Sequence, residues 1–105
     1  MSRKDPRARL LVPLTTLQMA HVRAQAGTQS LGDAVRRIVH MADLSQTPTE
    51  VVLEDAVRQI PVQLPRDLRL AVEELARAAD CRPENLVGWL VERHRVQTGG
   101  SPPRQ

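Results

Sequence analysis

Three histidines and one cysteine, His21, His40, His94 and Cys81, are the side chains here with metal-ligand or proton-transfer chemistry. Their spacings form no paired ligand motif of the kind a zinc site needs. Glu73-Glu74 and Glu54-Asp55 offer adjacent carboxylates. On a helix, neighbouring residues diverge by about 100°, so these read as solvated faces and not as an acid/base pair. Gly99-Gly100 precedes no helical pattern and cannot cradle a phosphate. Cys81, beside a turn, reads as a small buried hydrophobe. No catalytic constellation emerges, and no cofactor is expected. The remaining chemistry is that of guanidinium and amide groups, which recognise phosphates and base edges. Lys and Arg number 15 against 12 Asp and Glu, a formal charge of +3. That balance permits nucleic-acid contact without demanding it.

The elements that must position these groups follow from periodicity. Ile60, Val62 and Leu64 alternate with Gln59, Pro61 and Gln63, which puts the aliphatics on one face of a strand. After Pro65 the period changes, and Leu68, Val72, Leu75 and Ala79 form one stripe of a helix. Asp80-Cys81-Arg82-Pro83 breaks it, with Pro83 suited to the first turn of a new helix. Leu86, Val87, Leu90 and Val91 make a second stripe, ending near Val96.

The same order occurs earlier. Leu10, Val12 and Leu14 alternate with Arg9, Leu11 and Pro13. Leu17, Ala20 and Ala24 follow at helical spacing, and Thr15 with Gln18 fits a capping box. Gly27 is a terminator, and Ser30 to Asp33 opens a helix with Ala34, Val35, Ile38 and Val39 on one side, running to about Ala42. Leu14 corresponds to Leu64 and Ile38 to Leu90, so the second copy carries two extra residues. The chain is a degenerate tandem repeat.

This strand, helix, helix order resembles the ribbon-helix-helix (Arc/MetJ-like) family. The resemblance rests on the alternating strand ending in Leu64-Pro65, the helix from Leu68 to Ala76, and a last helix opening with Leu86-Val87. It covers about residues 9–42 and 58–95, and is better in the second copy, since Thr15 replaces the proline in the first. It implies a mainly α fold with a short two-stranded antiparallel ribbon, the two copies forming a pseudo-dimer within one chain. It also implies duplex-DNA binding, with the ribbon in the major groove. The positions matching the family's base-contacting side chains are Arg9, Leu11, Gln59 and Gln63, alongside Pro13 and Pro61. Those matching its phosphate contacts, at the start of each last helix, are Thr28, Gln29, Ser30 and Arg82, with Glu84 opposing. Tandem members point to accessory proteins of plasmid conjugation that assist a relaxase, and transcriptional repression is an equal possibility at the family level. The prolines at 13 and 61 favour an alternative, a protein-binding adaptor or antitoxin-like module that has lost DNA readout.

The rest of the chain is assigned by composition. Residues 1–8 form a basic arm, with Arg3, Lys4 and Arg7 available to phosphates. Residues 9–42 and 59–96 are the two halves of one compact domain. Residues 43–58 join them, and Thr47-Pro48-Thr49-Glu50 predicts a connecting helix over 48–57, with Val51, Val52, Ala56 and Val57 inward. Residues 97–105 read as a disordered tail. Neither half is expected to stand alone, since one strand has no partner. Trp89, off the helical stripe, either covers the interface between halves, the favoured reading, or faces a partner. One cysteine excludes an internal disulfide and fits a reducing compartment. No apolar run reaches membrane-spanning length, and the start lacks a secretory signal, so a cytoplasmic location is expected.

Overall fold

The structure, a computed structural model, describes residues 9–45, 48 and 56–98. Two tandem β-α-α units make one body. The first comprises β1 (Arg9–Leu14), α1 (Thr16–Ala26) and α2 (Leu31–Met41). The second comprises β2 (Arg58–Gln63), α3 (Arg66–Ala78) and α4 (Pro83–Thr98). β1 and β2 pair antiparallel, with Leu10 opposite Val62, Leu11 opposite Pro61 and Val12 opposite Ile60. The alternation read from sequence sets the inner face: Leu10, Val12, Leu14, Ile60, Val62 and Leu64 are all buried.

Each last helix packs on the strand of the other unit, α2 on β2 and α4 on β1. α2 and α4 also meet, and their stripes of Ala34, Val35, Ile38, Val39 and Leu86, Val87, Leu90, Val91 are buried. The core is aliphatic, and no polar or charged residue is buried among the described residues. Burying one Val, Leu or Ile contributes about 1.5–3 kcal/mol. The strand pairing, both helix-on-strand contacts and the α2–α4 contact all cross between units, which ties their folding together.

Local signals account for the helix ends. Thr15 Oγ1 accepts from the Gln18 amide at 3.3 Å while the Thr15 amide donates to Gln18 Oε1 at 2.9 Å, a complete capping box. Ser30 Oγ caps α2 by accepting from the Asp33 amide. Pro65 caps α3 without any side-chain bond. Gly27 closes α1 at φ +61°. At the matching turn Asp80 holds φ +60°, its amide donating to the Arg77 carbonyl and that of Cys81 to the Ala76 carbonyl. That pair of bonds is a Schellman closure, with aspartate where glycine is usual. The two extra residues of the second unit lie in its first helix: α3 has 13 residues, α1 has 11.

Three expectations are corrected. On α1 the buried residues are Met19, Val22 and Ala26, while Leu17, Ala20 and Ala24 face outward, Leu17 at 63% exposure. The helix offers two short stripes, and the one with two large apolar side chains, Met19 and Val22, is the buried one. α4 continues to Thr98, whose hydroxyl donates to the His94 carbonyl. Ala56 and Val57 are exposed and not helical; the Val57 amide donates to the Leu14 carbonyl at 3.0 Å, which makes it the lead-in to the ribbon. Apart from Pro48, which is buried, the rest of the connecting helix lies outside the described residues, as does the basic arm. No described helix is long and apolar enough to cross a membrane.

Candidate nucleic-acid interface

The outer face of the ribbon is built from the residues that alternate with the core. The register places Arg9 opposite Gln63, Leu11 opposite Pro61 and Pro13 opposite Gln59. Arg9, Leu11, Gln59, Pro61 and Gln63 are exposed and Pro13 is half-buried. The face therefore has a polar pair at one end, an apolar pair at its centre and a mixed pair at the other end.

Both prolines fall on this face, and ladder geometry explains why they are tolerated. An antiparallel pair alternates bonded and non-bonded positions, so all outward residues share one type. Proline has no N–H and fits only the non-bonded type. The ladder bonds then belong to the inward residues, such as Val12 and Ile60, and the prolines leave them intact.

The outer face continues into a groove of about 500 Å³ between β2 and the start of α2. Arg9, Arg36, Arg58 and Gln63 line it together with Ser30, Gly32 and Asp33. Asp33 pairs with Arg36 at 3.3 Å, both sides about half exposed. Gly32 makes this closeness possible, because a Cβ there would stand 2.7 Å from the Pro61 carbonyl oxygen. The first turn of α2 thus lies beside the ribbon, with its Asp33 amide capped by Ser30 Oγ and the Asp33 carboxylate in the same turn.

The start of α4 is placed differently. Its groove is lined by Arg82 and Pro83 with Glu73, Ala76, Arg77, Asp80 and Cys81, mostly the end of α3. Arg82 is exposed and sits 3.5 Å from Glu84. Of the positions matching the family's phosphate contacts, Ser30 adjoins the ribbon groove. Thr28 is exposed in the turn before it, and Gln29 lines a neighbouring groove with Arg36, Arg37 and His40. Arg3, Lys4 and Arg7 lie outside the described residues.

Arg36 and Arg58 went unnoticed in the sequence. Arg36 lies outside the Ala34/Val35/Ile38 stripe, so a helical wheel would have placed it outward. Arg58 carries the inward parity of Ile60 and is exposed only because the strand begins there.

One cluster lies away from the ribbon. His21 Nε2 on α1 and His94 Nδ1 on α4 are 2.8 Å apart, joining residues 73 positions distant. Nothing in the spacing could have announced it. Gln18 donates to Glu92 Oε1 beside it, and Arg95 holds the same carboxylate at 2.7 and 3.0 Å. Burial lowers the pKa of both histidines; the positive charge of a protonated His94 and that of Arg95 lower His21 further, against a smaller raising by Glu92. The Arg95 hydrogen bonds keep the Glu92 carboxyl below its usual range. Among the described residues no three His, Cys, Asp or Glu converge on a metal position. Cys81 is half-buried, and burial, then Asp80, pushes its thiol pKa up, as for an unreactive cysteine. Trp89 is half-buried against the core, with the Arg93 guanidinium 5.4 Å from its ring centre.

No protein-family model, curated protein or solved structure matches the chain. What stands is the tandem β-α-α architecture, consistent with a ribbon-helix-helix-like fold.

Proposed function

We propose that this protein binds duplex DNA without catalysis, laying the outer face of its ribbon in the major groove. The observation that carries the reading is the register: it sets Arg9 opposite Gln63, with Gln59 on the same exposed face. Arginine pairs with guanine O6 and N7, glutamine with adenine N6 and N7, and Leu11 meets a thymine methyl. Phosphates are held at the α2 flank by Thr28, Gln29, Ser30, Arg36 and Arg58, with Arg82 at the other flank and Arg3, Lys4 and Arg7 from the arm. The natural setting is accessory: assistance to a relaxase or similar enzyme in conjugative DNA transfer, or repression of transcription.

Because the ends of the face are unlike, readout is concentrated at the Arg9–Gln63 end. The test is a titration over many duplexes at fixed salt, repeated at several salt concentrations. Affinity should fall with a log–log slope of about −0.9 per phosphate neutralised. Arg9→Ala should relax preference by about 1–3 kcal/mol at one base pair. If the Arg9/Gln59/Gln63 triple alanine variant binds every duplex as the parent does, the ribbon is not the reading surface.

A second reading is favoured by one observation. Leu11, 50% exposed, lies opposite Pro61 at the centre of the face, an apolar patch with no hydrogen-bonding group to offer a base edge. Such a centre suits a protein partner. Absence of binding to any duplex at low salt would move the assignment there.

A further inference from the structure

We propose that His21 and His94 form a proton-operated latch between the two half-motifs, closed at neutral pH and opened when both imidazoles become charged. The two rings stand on helices from different units, with centroids 5.0 Å apart and planes tilted by 48°. At 2.8 Å the facing nitrogens have room for one proton between them. One ring must donate and the other accept, whichever tautomer holds. A first added proton can settle on a nitrogen outside the contact and leave the bond in place. The second must go to the accepting nitrogen, and two N–H groups then point at each other between two cations. The pair therefore titrates as a unit in two steps.

The surroundings decide how costly the charged state is. On α4, Glu92 is the anion near His21, but Arg95 and Gln18 already occupy its oxygens. Arg95 itself opposes a charge on His21. His94 also borders a groove at the end of α2 with Arg93 and Asp43, where Asp43 is bonded to the amide and hydroxyl of Ser45. The charged α2 side chain that bonds to α1 is Arg37, on the Gln25 carbonyl, about a turn beyond His21. Among the described residues, the carboxylates near the pair, Glu92 and Asp43, are already engaged by other partners.

The sign follows from linkage. Both histidines are less basic in the folded protein than in the unfolded chain, where an ordinary histidine has a pKa of about 6.5. Below that value the unfolded chain binds more protons, so stability falls as pH falls. The latch is complete above about pH 6.5 and is lost progressively toward the folded-state titration. What it releases is the contact of α1 with α4, the helix that backs β1.

The experiment uses the full chain and two readouts. Imidazole ¹⁵N shifts should show one shared hydrogen bond at pH 7.5 and a two-step titration, the second step well below the first. Urea unfolding is then followed from pH 7.5 to 4.5 for the parent and for His21→Gln/His94→Asn, in which amides replace the facing nitrogens and neither position titrates. Below about pH 6.5 the parent's folding constant should fall more steeply than the variant's, by up to about tenfold per pH unit for one differential proton. Parallel pH curves, or two histidines titrating independently near the ordinary value, overturn the latch. The shift measurement decides the matter on the parent alone if the double variant does not fold. DNA affinity enters neither readout, so the latch and the DNA reading stand or fall separately.

Discussion

The two crossings of helix on strand solve one packing problem in different ways. α2 meets β2 at Gly32, the second residue of its helix, where the Pro61 carbonyl leaves no room for a methyl group. α4 meets β1 at Gly88, the sixth residue of its helix, where a Cβ would stand 3.0 Å from the Pro13 carbonyl oxygen. Both contacts pair a glycine with a strand proline from the opposite unit. Yet in the repeat alignment Gly32 corresponds to Glu84 and Gly88 to Arg36. α2 therefore meets the ribbon with its N-terminal turn, and α4 with its second turn. The first crossing brings Arg36 and Ser30 to the groove beside Arg9 and Gln63. At the second, the helix start adjoins the end of α3. A repeat need not stay symmetric once both copies share a chain, since each is selected in its own place.

Separating the two crossings should have the largest effect. A chain cut near residue 46 should give two fragments that are unfolded alone and fold on mixing, followed by helical circular dichroism. Two independently folded fragments would show that the crossings are not what holds the units. Next in size is Gly32→Ala. The methyl meets a backbone atom, which cannot swing away, so a loss of about 1–3 kcal/mol is expected despite alanine's higher helix propensity of about 1 kcal/mol. Gly88→Ala needs a shift of only a few tenths of an ångström and should cost clearly less. Equal urea midpoints for the two variants would erase the distinction between tight and loose crossings. The smallest effect is expected at the paired turns. Gly27→Ala, at φ +61°, should destabilise by about 1 kcal/mol, and Asp80→Gly, at φ +60°, should be neutral or stabilising by less than that. The same sign at both turns would mean that backbone conformation does not control them.

Where the sequence carried two or more independent signals, its reading agreed with the fold. The strands showed period two against a changed period after Pro65, and every even-numbered aliphatic from Leu10 to Leu14 and from Ile60 to Leu64 is buried. The α2 and α4 stripes combined β-branched and leucine residues with defined helix starts at Ser30 and Pro83, and all eight residues are buried. α1 offered two short competing faces, one with Leu17, Ala20 and Ala24 and one with Met19, Val22 and Ala26, and the second is the buried one.

Of the candidate interface, the outward residues of the ribbon were legible because they are the complement of the core face: parity alone separates Arg9, Leu11, Gln59 and Gln63 from Leu10 and Val62. Local periodicity and turn chemistry thus determined the elements, their order and which face of each strand is wet, all properties of residues a few positions apart. Tertiary structure decided which helix crosses which strand, that Gly32 and Gly88 rest on proline carbonyls, that Arg36 and Arg58 join Arg9 in one groove, and that His21 meets His94. These depend on pairings across the whole chain, for which an isolated segment carries no periodic signal. They are fixed only when burial of both aliphatic faces at once leaves a single arrangement.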